Sequence, residues 1–121
     1  MTIQQAIDNL SIVQKHQYPT DMLVTWLSNL DQQIYRDLIK GHVLDVEEPE
    51  RYNAEDLSTE LLVPDPYTEL YVKYLCMQVD YYNNEIDRYN NSNAAFTQAL
   101  DNYGAWLNRT YLPKQPTYVR I

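Results

Sequence analysis

Apolar and aromatic residues recur at steps of three and four through most of the chain, a spacing that predicts helices rather than strands. The longest such run is Tyr67, Leu70, Tyr71, Tyr74, Leu75, Val79, Tyr82, Ile86 and Tyr89. It belongs to a stretch from Asp65 to Tyr111 that reads as two long, tyrosine-rich helices, with the other elements packed against them. Ahead of it, Leu23, Trp26, Leu27, Leu30, Ile34 and Leu38 form a continuous stripe, with Asp31, Gln32, Gln33, Arg36 and Asp37 mostly off it. Ile3, Ala6, Ile7 and Leu10 share one face of a shorter first helix.

Local signals set the expected boundaries. Thr2 can cap a first helix ending near residue 9, and Tyr18-Pro19 breaks the chain because proline disfavours helix at the residue before it. A second helix is expected to open at Thr20 as N-cap and to close at Lys40-Gly41. The third takes Asp65 as N-cap, Pro66 at the first helical position and Glu69 in the first turn, and runs to about Tyr89. Asn90-Asn91-Ser92-Asn93 are poor helix formers, so the chain is expected to reverse there, a kinked continuous helix being the alternative. The fourth helix spans 93–110 with Ala95, Phe96, Ala99, Leu100, Tyr103, Trp106 and Leu107 inward.

Between the second and third helices, His42 to Pro66 carries Asp45, Glu47, Glu48, Glu50, Glu55, Asp56, Glu60 and Asp65, interrupted by Pro49 and Pro64. Prolines there forbid a continuous helix, leaving a long acidic connector over 42–64 that is either functional or disordered. Leu61-Leu62-Val63 should anchor its end in the core. Residues 112–121 contain two prolines, no acid, and both Lys114 and Arg120. They form either an extended docking arm or a tail laid on its own domain. The expected architecture is therefore all-α: one domain over 1–111, a small bundle of three to four helices with two long C-terminal ones, plus an extended arm over 112–121.

Composition narrows the function classes. A chain of 121 residues is the size of one domain, and only two glycines argue against a sheet with many tight turns. A net charge of -8 disfavours a general grip on nucleic acid or on an anionic membrane. No stretch is long and apolar enough to span a bilayer, and MTIQQAIDNL lacks the features of a signal peptide, so a soluble protein made in a cytoplasm is expected. The lone Cys76 reads as a packing residue.

His16 and His42 lack partners at metal-ligand spacing, and no nucleophile elbow, phosphate loop or two-histidine zinc motif is present. Asp80, Glu85 and Asp87 read as a solvated face rather than a carboxylate site. No enzymatic activity, cofactor or metal is expected. The chain has twelve tyrosines, and Tyr71, Tyr74, Tyr81, Tyr82 and Tyr89 surround too much of one helix to face a single core. Tyrosine is enriched where proteins meet, so Tyr71, Tyr74, Tyr81 and Tyr89, with Leu112, Tyr118, Val119 and Ile121 of the arm, are the candidate self or partner interface.

The run Thr59-Glu60-Leu61-Leu62-Val63-Pro64-Asp65-Pro66-Tyr67-Thr68-Glu69-Leu70-Tyr71 resembles a motif of prophage proteins of Gram-positive bacteria. Asp80-Tyr81-Tyr82-Asn83-Asn84-Glu85, Arg88-Tyr89-Asn90-Asn91-Ser92 and Trp106-Leu107-Asn108-Arg109-Thr110 resemble it too, as do Trp26-Leu27-Ser28 and Leu30-Asp31. The order of elements further resembles the helical head–tail connector (neck, adaptor) proteins of tailed phages. That resemblance implies a virion structural protein at the head–tail junction, a ring of about twelve copies beneath the portal through which DNA passes. It also implies portal above, a stopper or tail component below, and no catalysis. Alternatives are an acidic phage-encoded inhibitor that mimics DNA, and a tail-completion factor.

Overall fold

Caps and apolar stripes decide where each helix starts and which face it buries. The computed structural model describes residues 1–114 and is all-α: α1 (Ile3–Val13), α2 (Thr20–Ile34), α3 (Glu69–Tyr82) and α4 (Ile86–Thr110), with no strand among the described residues. Thr2 caps α1: its Oγ1 accepts from the Gln5 amide at 3.2 Å, and Gln5 Oε1 accepts from the Thr2 amide at 2.9 Å. Two further amides at this end donate to the connector, Ile3 to the Thr59 carbonyl at 3.0 Å and Gln4 to that of Leu57 at 2.9 Å. The first turn of a helix leaves such donors without intrahelical partners, and here they hold the connector in place. The helix runs to Val13, beyond the expected end near residue 9, and carries Ile12 and Val13 into solvent.

α2 begins after the Tyr18-Pro19 break, with Pro19 rather than Thr20 in the capping position. From Tyr35 to Ile39 it widens into a π-helical turn closed by the Lys40 amide on the Tyr35 carbonyl at 2.7 Å. A π turn holds one residue more than an α turn. Ile39 therefore takes the buried place below Ile34 that a four-residue step assigns to Leu38, and Leu38 is only half-buried.

Asp65 and Pro66 precede α3 instead of starting it. Three-residue hydrogen bonds, Tyr67 to Pro64 at 3.0 Å and Tyr71 to Thr68 at 3.1 Å, wind this segment too tightly for an α-helix. Asp65 Oδ1 accepts from the Thr68 hydroxyl at 2.9 Å, and the helix begins at Glu69. The turn brings the Tyr67 ring to 5.8 Å from Tyr103 and 5.5 Å from Trp106 on α4.

The reversal between the long helices lies at Asn83-Asn84, and Asn90 to Asn93 are ordinary positions within α4. Asn84 adopts φ 58, a left-handed conformation that asparagine tolerates better than most residues. Its amide donates to the Tyr81 carbonyl at 3.1 Å, and the Glu85 amide reaches back to Asp80 at 3.0 Å. This nested pair is a Schellman ending with asparagine in the place usually held by glycine. Downstream, the Ser92 hydroxyl donates to Asp80 Oδ2 at 2.5 Å, so tertiary contact carries α4 through the weak helix formers.

α3 and α4 pack antiparallel, and α1 and α2 cover the inner face of α3. Ile3, Leu10, Leu23, Leu27, Leu70, Leu75, Val79 and Leu107 are at the centre, each worth about 1.5–3 kcal/mol in area removed from water. Leu61 and Val63 are buried as expected. The connector is an ordered layer: Leu44, Val46, Tyr52 and Leu57 turn inward, while Asp45, Glu47, Glu50, Glu55, Asp56 and Glu60 face solvent.

Candidate functional site

Two aspartates expected on the solvent side are buried. Asp31 is 0% exposed. One oxygen accepts the Tyr71 hydroxyl at 2.5 Å; the other accepts the Tyr52 hydroxyl and the Leu62 amide, the latter at 2.9 Å. The Tyr71 oxygen in turn accepts the Val63 amide at 2.8 Å, and the Tyr52 amide donates to Ser28 Oγ at 3.1 Å. Burial pushes the Asp31 carboxyl above its ordinary range, against the lowering effect of its three donors, and burial beside Asp31 pushes both phenols up. Every buried side-chain polar atom among the described residues has a hydrogen-bond partner, those of this network included.

Asp80 is the second. It accepts from Gln14 Nε2 at 2.7 Å and from Ser92 Oγ at 2.5 Å, tying the segment after α1 and the start of α4 to α3. The solvated-face reading holds for Glu85 and Asp87 and fails for Asp80. Both misses left a trace in the sequence. Asp31 stands four residues after Leu27 and three before Ile34, inside the apolar stripe rather than beside it. Asp80 directly follows Val79 and shares a face with Cys76.

Both histidines also make hydrogen bonds. His42 Nδ1 donates to the Leu38 carbonyl at 2.6 Å, and its Nε2 lies 2.8 Å from the Asn108 side-chain amide oxygen. His16 Nδ1 accepts the Tyr18 amide at 3.2 Å. Burial, with Asp80 nearby, raises the Cys76 thiol, which keeps it in its less nucleophilic form. Among the described residues no three His, Cys, Asp or Glu side chains are placed to hold a metal ion, and no helix is long and apolar enough to cross a membrane.

What the structure offers instead is exposed aromatic surface at the tip of the α3–α4 hairpin. Trp26 stacks on Tyr82 with centroids 5.3 Å apart, and Tyr18 flanks Trp26 at 5.5 Å. Tyr82 meets Tyr81 edge-on at 5.1 Å, and Tyr81 meets Tyr89 at 5.6 Å. The Tyr18 hydroxyl donates to Asn83 Oδ1 at 2.7 Å, fixing the turn against the segment before α2. The series starts in the core and ends in solvent: Tyr81 is 59% exposed, Tyr82 51% and Ile86 68%. Tyr81, Tyr82, Ile86 and Tyr89, with Glu85 and Asn84, line an open cleft of about 460 Å³.

At the other end of α4 the chain turns back along the segment after α2. The Val43 amide donates to the Leu112 carbonyl and the Lys114 amide to the Gly41 carbonyl, each at 2.8 Å, forming an isolated antiparallel bridge at His42 and Pro113. Val43 and Leu112 are both exposed there.

The candidate interface residues thus divide. Tyr71 is fully buried and bonded to Asp31, so it belongs to the core and not to a surface. Tyr74 is half-buried against Phe96 at 5.1 Å, its hydroxyl accepting from Gln78 at 2.7 Å. Tyr81 and Tyr89 meet at the hairpin tip, and Leu112 is exposed at the opposite end. Tyr118, Val119 and Ile121 lie outside the described residues. Tyr82 and Ile86 complete the tip although periodicity assigned both to the inward face; their exposure follows from the turn at Asn84, which ends the packed part of α3.

No family model fits the chain, and no curated protein or solved structure is similar to it.

Proposed function

We propose that the protein is a non-enzymatic virion component of a tailed phage, a head–tail connector subunit that assembles into a ring beneath the portal. The observation that carries the reading is the separation of two unlike apolar surfaces to opposite ends of α4, the aromatic tip and the Val43–Leu112 edge. A ring subunit needs two different faces that complement each other around an axis, whereas a simple two-fold dimer needs one. The resemblance of the tyrosine-rich segments to prophage proteins, and of the order of elements to head–tail connector proteins, supports the same role. Its partners are further copies of the chain, portal on one side and a stopper or tail component on the other. The exposed acids of the connector suit a lumen that must let DNA slide without gripping it.

Co-sedimentation with assembled portal rings of the same phage tests the reading. Saturable binding near one copy per portal subunit is the expected result; absence of binding overturns it. A second reading, an acidic inhibitor that occupies a DNA-binding site, draws on the ordered connector, whose outward carboxylates form a fixed surface. Competition with DNA for a host protein, without portal binding, would favour that reading. A tail-completion factor would instead bind purified tails.

A further inference from the structure

We propose that the Val43–Leu112 edge of one copy, with the cations around it, packs on an acidic cleft of the connector of the next copy, so that subunits join head to tail. The proposal rests on the self-assembly in the connector reading and names the two surfaces that meet.

The edge gathers positive charge in a chain whose net charge is -8. The Lys114 amide meets the Gly41 carbonyl at 2.8 Å, and His42 Nε2 lies 2.8 Å from Asn108. Lys40, Arg109 and Lys114, each next to one of these residues or within the bridge itself, are thereby brought to one end of the molecule. All three are exposed, and none makes an ion pair among the described residues, even with Asp37 and Asp45, the acids nearest in sequence to Lys40 and Val43. The apolar pair at the bridge is open as well, Val43 being 58% exposed and Leu112 76%. Apolar surface beside unpaired cations fits a partner that is itself apolar and acidic.

The same chain carries such a surface farther along the connector. Glu50, Tyr52, Asp56 and Leu62, with Pro49 and Thr59, line an open cleft of about 420 Å³. Glu50, Asp56 and the adjoining Glu55 are exposed and make no ion pair among the described residues; Asp56 accepts only from the Ser58 hydroxyl, at 2.8 Å. Glu60 also lines the cleft but is taken by the Met1 amino group at 3.2 Å, and Arg51 is the one basic side chain there. The balance of charge is acidic. The Tyr52 hydroxyl and the Leu62 amide are fastened to Asp31, so the floor of the cleft is set before a partner arrives, which lowers the ordering cost of binding.

Within one chain the two surfaces stay apart: no ion pair joins Lys40, Arg109 or Lys114 to a connector acid among the described residues. Complementary but unlike surfaces on every copy make a contact that propagates, and it closes into a ring when the rotation permits. The contact uses Glu50, Glu55 and Asp56 and leaves Asp45 and Glu47 available to the lumen.

Exchange of charge in the full chain tests it. Lys40→Glu with Lys114→Glu reverses the edge; Glu50→Lys with Asp56→Lys reverses the cleft. Each double variant alone should self-associate about tenfold more weakly than the wild type in sedimentation, or worse, while keeping its helical spectrum. Mixed in equal amounts the two should assemble again, because the reversed edge meets the reversed cleft and the native edge meets the native cleft. A destabilised fold would not give that rescue. Should a reversal cost the helical spectrum, Lys40→Gln with Lys114→Gln must still weaken association. In about 1 M salt, where charges act over only about 3 Å, the wild type should dissociate more readily.

A mixture no more assembled than its parts overturns the proposal, as does a double variant that assembles like the wild type. A wild-type chain that stays monomeric at low salt overturns it too, and loss of portal binding on reversing the edge would then assign the edge to portal. Self-association that obeys the exchange without portal binding keeps this contact and sinks the connector reading. Portal binding by a chain indifferent to the exchange does the reverse.

Discussion

Tyr71 and Tyr81 stand on the same helix, yet one donates its hydroxyl to a buried carboxylate and the other lies mostly in solvent. At the lower end of α3 the connector folds over the helix and supplies Tyr52, Leu62 and Val63, so Tyr71 has both an apolar surround and polar partners. At the upper end Trp26 and Tyr18 cover only one side of Tyr82, and Tyr81 packs on Tyr82 and Tyr89 with more than half of its surface in solvent. Helical spacing alone does not decide burial; a second element must arrive. Aromatic surface left without one is concentrated at the tip.

Substitutions at the two ends should separate cleanly. Tyr103→Ala, in the covered half, should cost about 3–5 kcal/mol in denaturant unfolding, the range for removing a large buried ring. Tyr71→Phe keeps the ring and leaves Asp31 and the Val63 amide each short of a partner; about 1–3 kcal/mol is expected. Tyr81→Ala should change stability by less than about 1 kcal/mol while weakening self-association measured by sedimentation. Equal stability losses at Tyr71 and Tyr81 would break the contrast.

The covered half should also respond to pH. Burial raises the Tyr103 phenol from 10.0 to about 12, so the folded state holds that proton more tightly than the unfolded chain. Its contribution is present below pH 10.0 and is lost as pH rises toward about 12, with Tyr52 and Tyr71 shifted in the same direction. Unfolding monitored at fixed denaturant should steepen above pH 10.0, less so in Tyr103→Phe. Asp31 has the same sign at the acid end. Its folded carboxyl lies above 3.8, so its contribution is full below that value and is lost as pH rises through the raised one. In Asp31→Asn that component of the stability profile should vanish, and an unchanged profile would show that Asp31 is not the titrating group.

The helices, the break at Tyr18-Pro19 and the buried Leu61 and Val63 were legible because each depends on neighbours in sequence or on an apolar period. The reversal was misplaced because Asn83-Asn84 and Asn90-Asn91 are locally equivalent turn formers. What separates them is Ser92 on Asp80 and Tyr18 on Asn83, contacts between distant residues. The position of Asp31 in the apolar stripe is readable, but its three donors are not, because they come from residues 52, 62 and 71. The exposed tip is only half legible, since the period counts Tyr82 and Ile86 as inward, whereas Tyr82 is covered on one side only, by Trp26 and Tyr18, and Ile86 lies beyond the turn at Asn84.

The anchoring of the connector by Asp31 and Tyr71 also has a kinetic consequence. Leu62 and Val63 belong to no helix or strand, yet their amides donate to a buried carboxylate and a buried phenol. Their hydrogen exchange should follow opening of the core rather than fluctuation of the loop, placing two connector amides among the slowest in the molecule. The end of the acidic segment then opens only with the core, fastened by side-chain acceptors at Leu62 and Val63 as well as by the backbone bonds from Ile3 and Gln4.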